Sequence, residues 1–266
     1  MTPLLAVEKL EVVYKRSVTA VQGISLKAAA GKIIAILGSN GAGKTTVLRA
    51  ISGFLGIDDA RVTDGSIAFK GMPIANRPPN EIARLGVMLV PERDKVFPNL
   101  TVAENLAAPL ALGIDRAERR RREALVYEFF PLLGELKTRI GGLLSGGERQ
   151  MLALGSALVC HPELLLVDEL SLGLAPVVVD ALMERLVHIR RELGISVLIV
   201  EQNATVALAI ADHGYVLENG RVVLEGDAER LRNHSEIKEF YLGQVGGERR
   251  SYRTVKQYRR SRRWYG

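Results

Sequence analysis

The sequence contains a single cysteine, Cys160, among 266 residues. One cysteine cannot form an internal disulfide or build a zinc site, which fits a reducing compartment such as the cytosol. Apolar runs such as residues 195–200 have the length of a strand and fall far short of the roughly 18 residues of a membrane span. No basic segment leads into a long apolar stretch near residue 1, so we expect neither a membrane crossing nor a secretion signal.

Repeats and nucleic-acid signals are scarce as well. No repeat with a period of about 20 to 50 residues and no sustained heptad pattern is present, which excludes solenoids and long coiled coils. The net charge is +6, but residues 247–266 hold eight arginines and lysines against one acid, a net +7. The rest of the chain is close to neutral, at −1, which argues against a broad nucleic-acid surface on the folded domain.

Short apolar segments alternate with segments of helical length, which is typical of strands that feed helices in a mostly parallel sheet of an α/β fold. The pattern predicts buried strands at residues 31–37, 164–167 and 195–200, and helices at residues 45–51 and around 177–192. We expect the two later strands to neighbour the first. Residues 215–218 and 221–224 flank Asn219 and Gly220, a dipeptide that suits a tight hairpin turn.

Between residues 101 and 150 the pattern becomes helical and highly charged, which predicts a helical subdomain. Thr101 and Glu104 have the spacing of a capping box, in which each side chain bonds to the other residue's backbone N–H. The run at residues 116–123 contains five arginines and two glutamates. We interpret it as a solvated helix face rather than a nucleic-acid contact, and assign it no site.

A glycine-rich segment after the first predicted strand matches the P-loop pattern; its residues are Gly38, Ser39, Asn40, Gly41, Ala42, Gly43, Lys44 and Thr45. Glycines let the backbone curl so that successive N–H groups point at phosphate oxygens, and the following helix N-terminus adds a favourable dipole. Lys44 would reach the β- and γ-phosphates, and the Thr45 hydroxyl would bind Mg²⁺. This segment, with the adjoining Thr46, is therefore predicted to bind ATP and Mg²⁺.

The predicted strand at residues 164–167 ends in two carboxylates, Asp168 and Glu169, the Walker B arrangement beside a P-loop strand. Asp168 is predicted to hold Mg²⁺ through water. Glu169 would point toward the γ-phosphate, where a carboxylate can orient the attacking water or accept its proton. It is the candidate general base. Two acids that merely solvate a strand end are the alternative, which the neighbouring P-loop disfavours.

Residues 144–150, Leu-Ser-Gly-Gly-Glu-Arg-Gln, are predicted to open a helix that Ser145 caps and Glu148 completes as a capping box. In order with the P-loop and Walker B motifs, they resemble the signature of the ATP-binding cassette (ABC) ATPases. The resemblance implies a P-loop NTPase fold with a mostly parallel core sheet, an antiparallel β part and a helical subdomain at about residues 92–160. It also implies that Ser145, Gly146 and Gly147 face the γ-phosphate bound by a second subunit.

A finer resemblance, over about residues 4–243, is to the ATP-binding subunits of branched-chain amino acid transporters of the LivF type. Residues 90–92 and 96–102 are similar to that subunit's Q-loop region, residues 171–176 to its D-loop, and residues 200–204 to its switch region.

The same resemblance gives roles to three further side chains. Glu92 stands where a glutamine is usual, at the metal site. Gln202 stands where most cassettes have a histidine; it can hydrogen-bond near the γ-phosphate but cannot shuttle a proton near neutral pH, which leaves the base role to Glu169. Tyr14 matches the aromatic position that stacks on adenine.

The chain also departs from the family pattern at three places. Leu170 replaces the proline usual after Walker B, Ser156 replaces an arginine common on the signature helix, and Arg93-Asp94 replaces a Gly-Arg pair. The chain therefore lacks the fixed φ of that proline and a charge available for ion pairing. These losses bear on the rigidity of the D-loop and on the coupling of hydrolysis to permease movement more than on ATP binding.

The resemblance implies the ATPase motor of an importer for branched-chain or other hydrophobic amino acids, peripheral at the cytoplasmic face of the cell membrane. Its implied partners are a second ABC ATP-binding subunit, identical or related, two membrane permeases and, indirectly, an extracytoplasmic substrate-binding protein. Urea or amide import is an alternative. A soluble ABC ATPase acting on nucleic acid is disfavoured, because the chain has one P-loop, one cysteine and no long coiled coil.

Residues 244–266 lie beyond the resemblance, and we expect them to form a basic, flexible tail. Four aromatic residues accompany the eight basic ones: Tyr252, Tyr258, Trp264 and Tyr265. The tail is either a solvated end or a contact for anionic lipids, to which basic and aromatic side chains are attracted. Weak nucleic-acid binding is the remaining alternative, and no specific nucleic-acid partner is expected.

Overall fold

The computed structural model describes residues 3–93, 95–110, 114–234 and 237. The strands in this part of the chain are β1 (Leu5–Tyr14), β2 (Val18–Ala28), β3 (Ile33–Leu37), β4 (Ala60–Phe69), β5 (Met72–Pro73), β6 (Val87–Val90), β7 (Leu164–Asp168), β8 (Ser196–Glu201), β9 (His213–Glu218) and β10 (Arg221–Asp227). The α-helices are α1 (Lys44–Ser52), α2 (Pro79–Arg84), α3 (Val102–Ala107), α4 (Arg116–Phe129), α5 (Pro131–Glu135), α6 (Gly146–Leu158), α7 (Pro176–Leu193), α8 (Ala204–Ile210) and α9 (Ala228–Asn233). The strands and helices predicted from the apolar pattern are confirmed for β3, β7, β8, α1 and α7.

The larger sheet has six strands in the order β10-β9-β3-β8-β7-β6. Every neighbouring pair is parallel except β9 and β10, so the predicted mostly parallel core sheet is confirmed. The expectation that both later strands neighbour β3 is wrong for β7, which lies one strand away, beyond β8. A strand has only two hydrogen-bonding edges, and those of β3 are taken by β8 and β9.

Two apolar cores lie on the two faces of this sheet, and β3 contributes to both. Ile33, Ala35 and Leu37 pack in the core that includes the helices α3 to α8, whereas Ile34 and Ile36 pack in the core shared with α1 and the smaller sheet. All five residues of β3 are buried, as expected for a parallel strand covered on both faces.

The smaller sheet is antiparallel, with the order β2-β1-β4-β5. A second antiparallel element is the hairpin of β9 and β10, which forms the edge of the larger sheet. Its turn residues Asn219 and Gly220 have φ values of 48° and 73°, which confirms the hairpin predicted from this dipeptide. The hairpin contacts the loop after β3, because the Gly220 N–H donates to the Ala42 carbonyl oxygen at 3.0 Å. The smaller sheet contacts the helix that follows this loop, through Tyr14 and Thr46.

The chain between β6 and β7 carries α3, α4, α5 and α6. Thr101 caps α3 and Glu104 bonds back to the Thr101 N–H, so the predicted capping box is confirmed. The charged run opens α4, where Glu118 pairs with Arg121 and Arg122, and Arg119 with Glu123. Pairs of this kind between residues three or four apart are those of a largely solvated helix face.

None of the helices in the described part of the chain is both long and apolar enough to cross a membrane. Residues 244–266, for which we expect a basic tail, lie outside the described residues, as does Asp94.

Candidate active site

The P-loop joins the end of β3 to the start of α1 and requires glycine at several positions. Gly43 precedes α1 with φ of 100°, and Gly41 has φ of 80°, both in the left-handed region. A Cβ on Gly38 would stand 2.5 Å from the Leu217 carbonyl oxygen, so no larger residue fits against β9. The exposed backbone of Ser39, Asn40 and Gly41 and the N-terminus of α1 form a ready binding surface for phosphate oxygens.

Lys44 is buried and crosses the loop that precedes it. Its Nζ donates hydrogen bonds to the carbonyl oxygens of Gly38, at 2.9 Å, and Ser39, at 3.2 Å. The same atom lies 3.1 Å from Oε1 of Glu169, in a pair whose side chains are almost fully buried. The P-loop lysine and the candidate general base are thus in direct contact, although 125 positions separate them in the sequence.

Thr45 and Asp168 meet where the P-loop helix faces the end of β7. The Thr45 hydroxyl donates to Oδ1 of Asp168 at 3.3 Å. Burial raises the pKa of Asp168 to about 6; the Thr45 hydrogen bond opposes the shift, and the negative charges of Glu169 and Glu92 add to it. The positive charge around Asp168 is therefore too small to offset the cost of burying its ionised carboxylate.

These residues fit a magnesium ion. A hydroxyl and a carboxylate are hard oxygen donors, and a cation beside Asp168 would relieve the cost of its buried charge. In the described part of the chain, no three His, Cys, Asp or Glu side chains come together as a complete metal site. Mg²⁺ commonly has few protein ligands and takes the rest from phosphates and water, so this finding agrees with a nucleotide-bound ion.

A cavity of about 590 Å³ opens beside the P-loop. Its lining includes six predicted site residues of the P-loop segment, the two acids Glu92 and Glu169, and three others; these are Asn40, Gly41, Gly43, Lys44, Thr45, Thr46, Glu92, Glu169, Ala20, Arg93 and Leu172. The volume lies in the range of small-molecule sites. Glu92 thus joins the site, where its carboxylate also accepts a hydrogen bond from Arg93 Nε at 3.1 Å.

Tyr14 and Gln202 are not among the described residues that line this cavity. Tyr14, the last residue of β1, contacts the P-loop helix through its hydroxyl, 3.2 Å from Oγ1 of Thr46. Gln202 follows the end of β8, whose Glu201 is in register with Leu37 of β3, so it leaves the sheet at the same edge as Gly38. Tyr14 thus contacts the P-loop helix and Gln202 follows a strand that pairs with β3, and the roles of both toward a nucleotide stay predictions.

The signature segment begins α6 as predicted. Ser145 Oγ accepts from the Glu148 N–H at 3.3 Å, and the Glu148 carboxylate accepts from the Ser145 N–H at 2.6 Å, which confirms the capping box. A Cβ on Gly147 would stand 2.8 Å from Val178 Cγ1, and one on Gly146 would stand 3.0 Å from Leu174 Cδ2. Ser145 is exposed, and the described residues that line the P-loop cavity do not include the signature.

Sequence reasoning missed a set of polar contacts behind the two carboxylates. Glu201 is buried, and its carboxylate accepts two hydrogen bonds from Ser171. Gln150 donates from Nε2 to the Leu170 carbonyl oxygen at 2.9 Å. The sequence signal for Glu201 is a charged residue at the end of an apolar strand, residues 196–201. Its hydrogen-bonding partner, Ser171, could not be predicted from the sequence.

Comparison with known proteins places this site in a family. The family model described as "ABC transporter" matches residues 21–171, more than half of the chain. The chain is 39% identical over 240 residues to the high-affinity branched-chain amino acid transport ATP-binding protein BraG of Pseudomonas aeruginosa, covering 90% of this chain and 100% of that protein. It is 38% identical to the probable branched-chain amino acid transport ATP-binding protein LivF of Archaeoglobus fulgidus, covering 80% and 88% of the two chains.

Other similarities extend beyond amino acid transport. The lipopolysaccharide export system ATP-binding protein LptB of Haemophilus influenzae is 32% identical, covering 91% of this chain and 98% of that protein. Among solved structures, the ADP conformation of the ABC transporter cassette MJ1267 superposes with a TM-score of 0.79 at 26% identity, covering 92% of this chain and 100% of that one. The chain therefore belongs to the ABC transporter family, as one of its ATP-binding subunits, and is an ATPase.

Proposed function

We propose that this chain is the ATP-hydrolysing motor subunit of an importer for branched-chain or other hydrophobic amino acids. The 39% identity to a branched-chain amino acid transport protein over that protein's full length carries the proposal. The identity to LptB, a lipopolysaccharide export protein, is lower, at 32%. Urea or amide import stays the alternative substrate class, because the transported molecule touches the permeases rather than the ATPase.

ATP would bind with its phosphates on the P-loop. The backbone N–H groups of residues 38–43 and the start of α1 surround the β- and γ-phosphates, and Lys44 supplies the positive charge. Lys44 would then exchange its bonds to the Gly38 and Ser39 carbonyl oxygens for bonds to phosphate oxygens. Tyr14 would stack on the adenine, since it lies at the end of β1 beside Thr46.

Thr45, Asp168 and Glu92 would hold Mg²⁺ at the phosphates, Asp168 through water. When bound, the ion would supply positive charge to stabilise the negative charge on the phosphate oxygens. Glu169 would orient the attacking water or accept its proton, and Gln202 would hydrogen-bond near the γ-phosphate. The contact between Lys44 and Glu169 supports this arrangement, because it holds a carboxylate at the phosphate end of the loop.

A second ATP-binding subunit would complete each site. Ser145, Gly146 and Gly147 would face the γ-phosphate on the partner, where the exposed N-terminus of α6 favours an anion. Two large apolar side chains nearby support a protein contact on this face: Leu172 is 52% exposed and Val177 is 75% exposed. Leu172 also lines the P-loop cavity, so the apolar surface reaches the nucleotide.

The assembly would comprise two ATP-binding subunits, two permeases and a substrate-binding protein outside the membrane, with this chain peripheral on the cytoplasmic face. Reconstitution with candidate permeases and binding protein tests the proposal. We expect ATP-dependent uptake of leucine or valine into vesicles, and ATP hydrolysis stimulated by the loaded binding protein. Uptake of urea but of no hydrophobic amino acid would refute the substrate class and leave the ATPase motor intact.

A further inference from the structure

Glu201 is a buried carboxylate that the hydrolysis mechanism above does not use. It is the last residue of β8 and is only 1% exposed. Its Oε1 accepts a hydrogen bond from the Ser171 N–H at 2.9 Å, and its Oε2 accepts one from the Ser171 hydroxyl at 2.6 Å. Burying a carboxylate this deeply costs free energy unless its oxygens are hydrogen-bonded, so both bonds are needed to keep Glu201 in this position.

These bonds anchor the segment that follows β7 to the end of β8. The Glu169 N–H donates to the Val200 carbonyl oxygen at 2.9 Å, one residue before Glu201. The Leu170 N–H also points at the Glu201 carboxyl and lowers its pKa, against the larger effect of burial. Leu170 keeps a backbone N–H that a proline at this position would lack. Three consecutive backbone N–H groups, those of residues 169–171, are thus directed at β8.

The opposite side of the segment is held as well. The carbonyl oxygen of Leu170 accepts a hydrogen bond from Gln150 Nε2 at 2.9 Å. Gln150 is buried in α6 and accepts in turn from Lys95 Nζ at 2.9 Å. The short segment after β7 is therefore clamped between the signature helix and β8.

This clamp matters because of the backbone at Glu169, whose φ is 46°. This left-handed conformation is strained for a residue other than glycine, which keeps it only where the surroundings enforce it. The conformation directs the Glu169 side chain to within 3.1 Å of Lys44 Nζ. The bond from the Glu169 N–H to Val200 and the hydrogen bonds of the next two residues, Leu170 and Ser171, are the contacts that enforce it.

We propose that Glu201 is a positioning residue for ATP hydrolysis, which fixes residues 169–171 so that the Glu169 carboxylate is held at the phosphate end of the P-loop. The proposal rests on the proposed role of Glu169 as the group that orients or deprotonates water. Glu201 is not among the described residues that line the P-loop cavity; it acts through the backbone of the segment it holds.

The test compares two substitutions in the full chain. Glu201→Leu keeps the volume but removes both acceptors, whereas in Glu201→Gln the amide oxygen accepts from the Ser171 N–H and the amide group donates to the Ser171 hydroxyl. We expect Glu201→Leu to lower kcat by about tenfold or more, because a displaced catalytic group loses its geometry. The KM for ATP should change less than about twofold, and Glu201→Gln should retain kcat within about threefold.

Ser196→Ala is the matched control, because it removes a buried hydroxyl at the other end of β8, where Ser196 Oγ accepts from the Gly31 N–H at 2.8 Å. It should lower the melting temperature without lowering kcat. Wild-type kcat in Glu201→Leu, or a fall in kcat no larger than that of Ser196→Ala at equal loss of stability, overturns the proposal. If Glu201→Leu does not fold, Ser171→Ala decides in its place, and an unchanged kcat there overturns the proposal.

Glu169→Gln, measured in the same assay, separates this inference from the proposed function. Inactive Glu169→Gln beside fully active Glu201→Leu refutes the positioning role alone. Fully active Glu169→Gln refutes the assignment of the base on which the positioning role depends.

Discussion

Replacing Glu201 with glutamine tests how strongly burial holds a proton on this side chain. Burial is the main cause that raises the pKa of Glu201 from its ordinary value of 4.5 to about 7; the Ser171 hydrogen bonds oppose the shift, and the charge of Glu169 adds to it. A carboxyl whose pKa is raised by folding binds its proton more tightly in the folded state. Its contribution to stability is therefore present at low pH and is lost as the pH rises through about 7.

The size of the effect follows from the two pKa values. Between about pH 5.5 and about pH 8, ionisation of Glu201 should lower the free energy of unfolding by about 2 kcal/mol. Glutamine cannot ionise, so the variant should lack this step. The pKa of Asp168 is also raised by burial, but Asp168 is present in both proteins and its effect cancels in the difference.

Urea unfolding of both proteins across this pH range is the assay. We expect the free energy of unfolding of Glu201→Gln, relative to the wild type, to rise by about 2 kcal/mol from the acid to the alkaline end. The slopes against urea should agree, so that the comparison reports stability rather than a change in the unfolded state. Parallel pH profiles for the two proteins would mean that Glu201 ionises as an ordinary glutamate, and the argument from its burial would fail.

Three further predictions concern the proposed mechanism. Glu169→Gln should keep ATP binding but lower turnover by on the order of a hundredfold and trap a closed dimer, as chromatography with ATP and a turnover assay would show; wild-type turnover contradicts the assigned role. Lys44→Ala should weaken nucleotide binding at its own site, whereas Ser145→Arg should block hydrolysis at the partner's site. Mixed dimers with one change per subunit test this, and identical losses of binding and hydrolysis in the two variants would contradict the shared site. Deleting residues 247–266 should leave ATP hydrolysis within about twofold but reduce binding to anionic vesicles, more at low salt than at high salt; unchanged vesicle binding would leave the tail a solvated end.

The local elements of the nucleotide site could be predicted from the sequence because each is set by a short pattern. The P-loop glycines, the strand that ends at Asp168 and the capping box of Ser145 and Glu148 each depend on residues within one segment. Their chemistry is also local, since a left-handed glycine or a capping hydroxyl acts on neighbouring backbone. Features of this kind are therefore found in the folded chain as the sequence predicts them.

Strand order and side-chain partners depend on contacts between distant segments, and there the prediction was incomplete. The apolar runs of β7 and β8 are equally good neighbours for β3 by composition, and only the packed sheet decides that β8 takes that edge. Glu201 and Ser171 are 30 positions apart, and no periodic pattern links a strand end to a loop hydroxyl. Lys44 and Glu169 could be placed at one sheet edge from their motifs, but not as an ion pair.

The division of β3 between two apolar cores has a consequence for exchanging parts between relatives. The side chains of Ile33, Ala35 and Leu37 face one way and those of Ile34 and Ile36 the other, so the sheet acts as a partition. Among the side chains of β3, a chimera that imports the segment between β6 and β7 from another cassette needs to match only the first set. The antiparallel sheet and the apolar packing beneath the P-loop helix would meet the same neighbours as before, provided that the imported segment keeps Glu92 at the cavity and Gln150 at the Leu170 carbonyl oxygen.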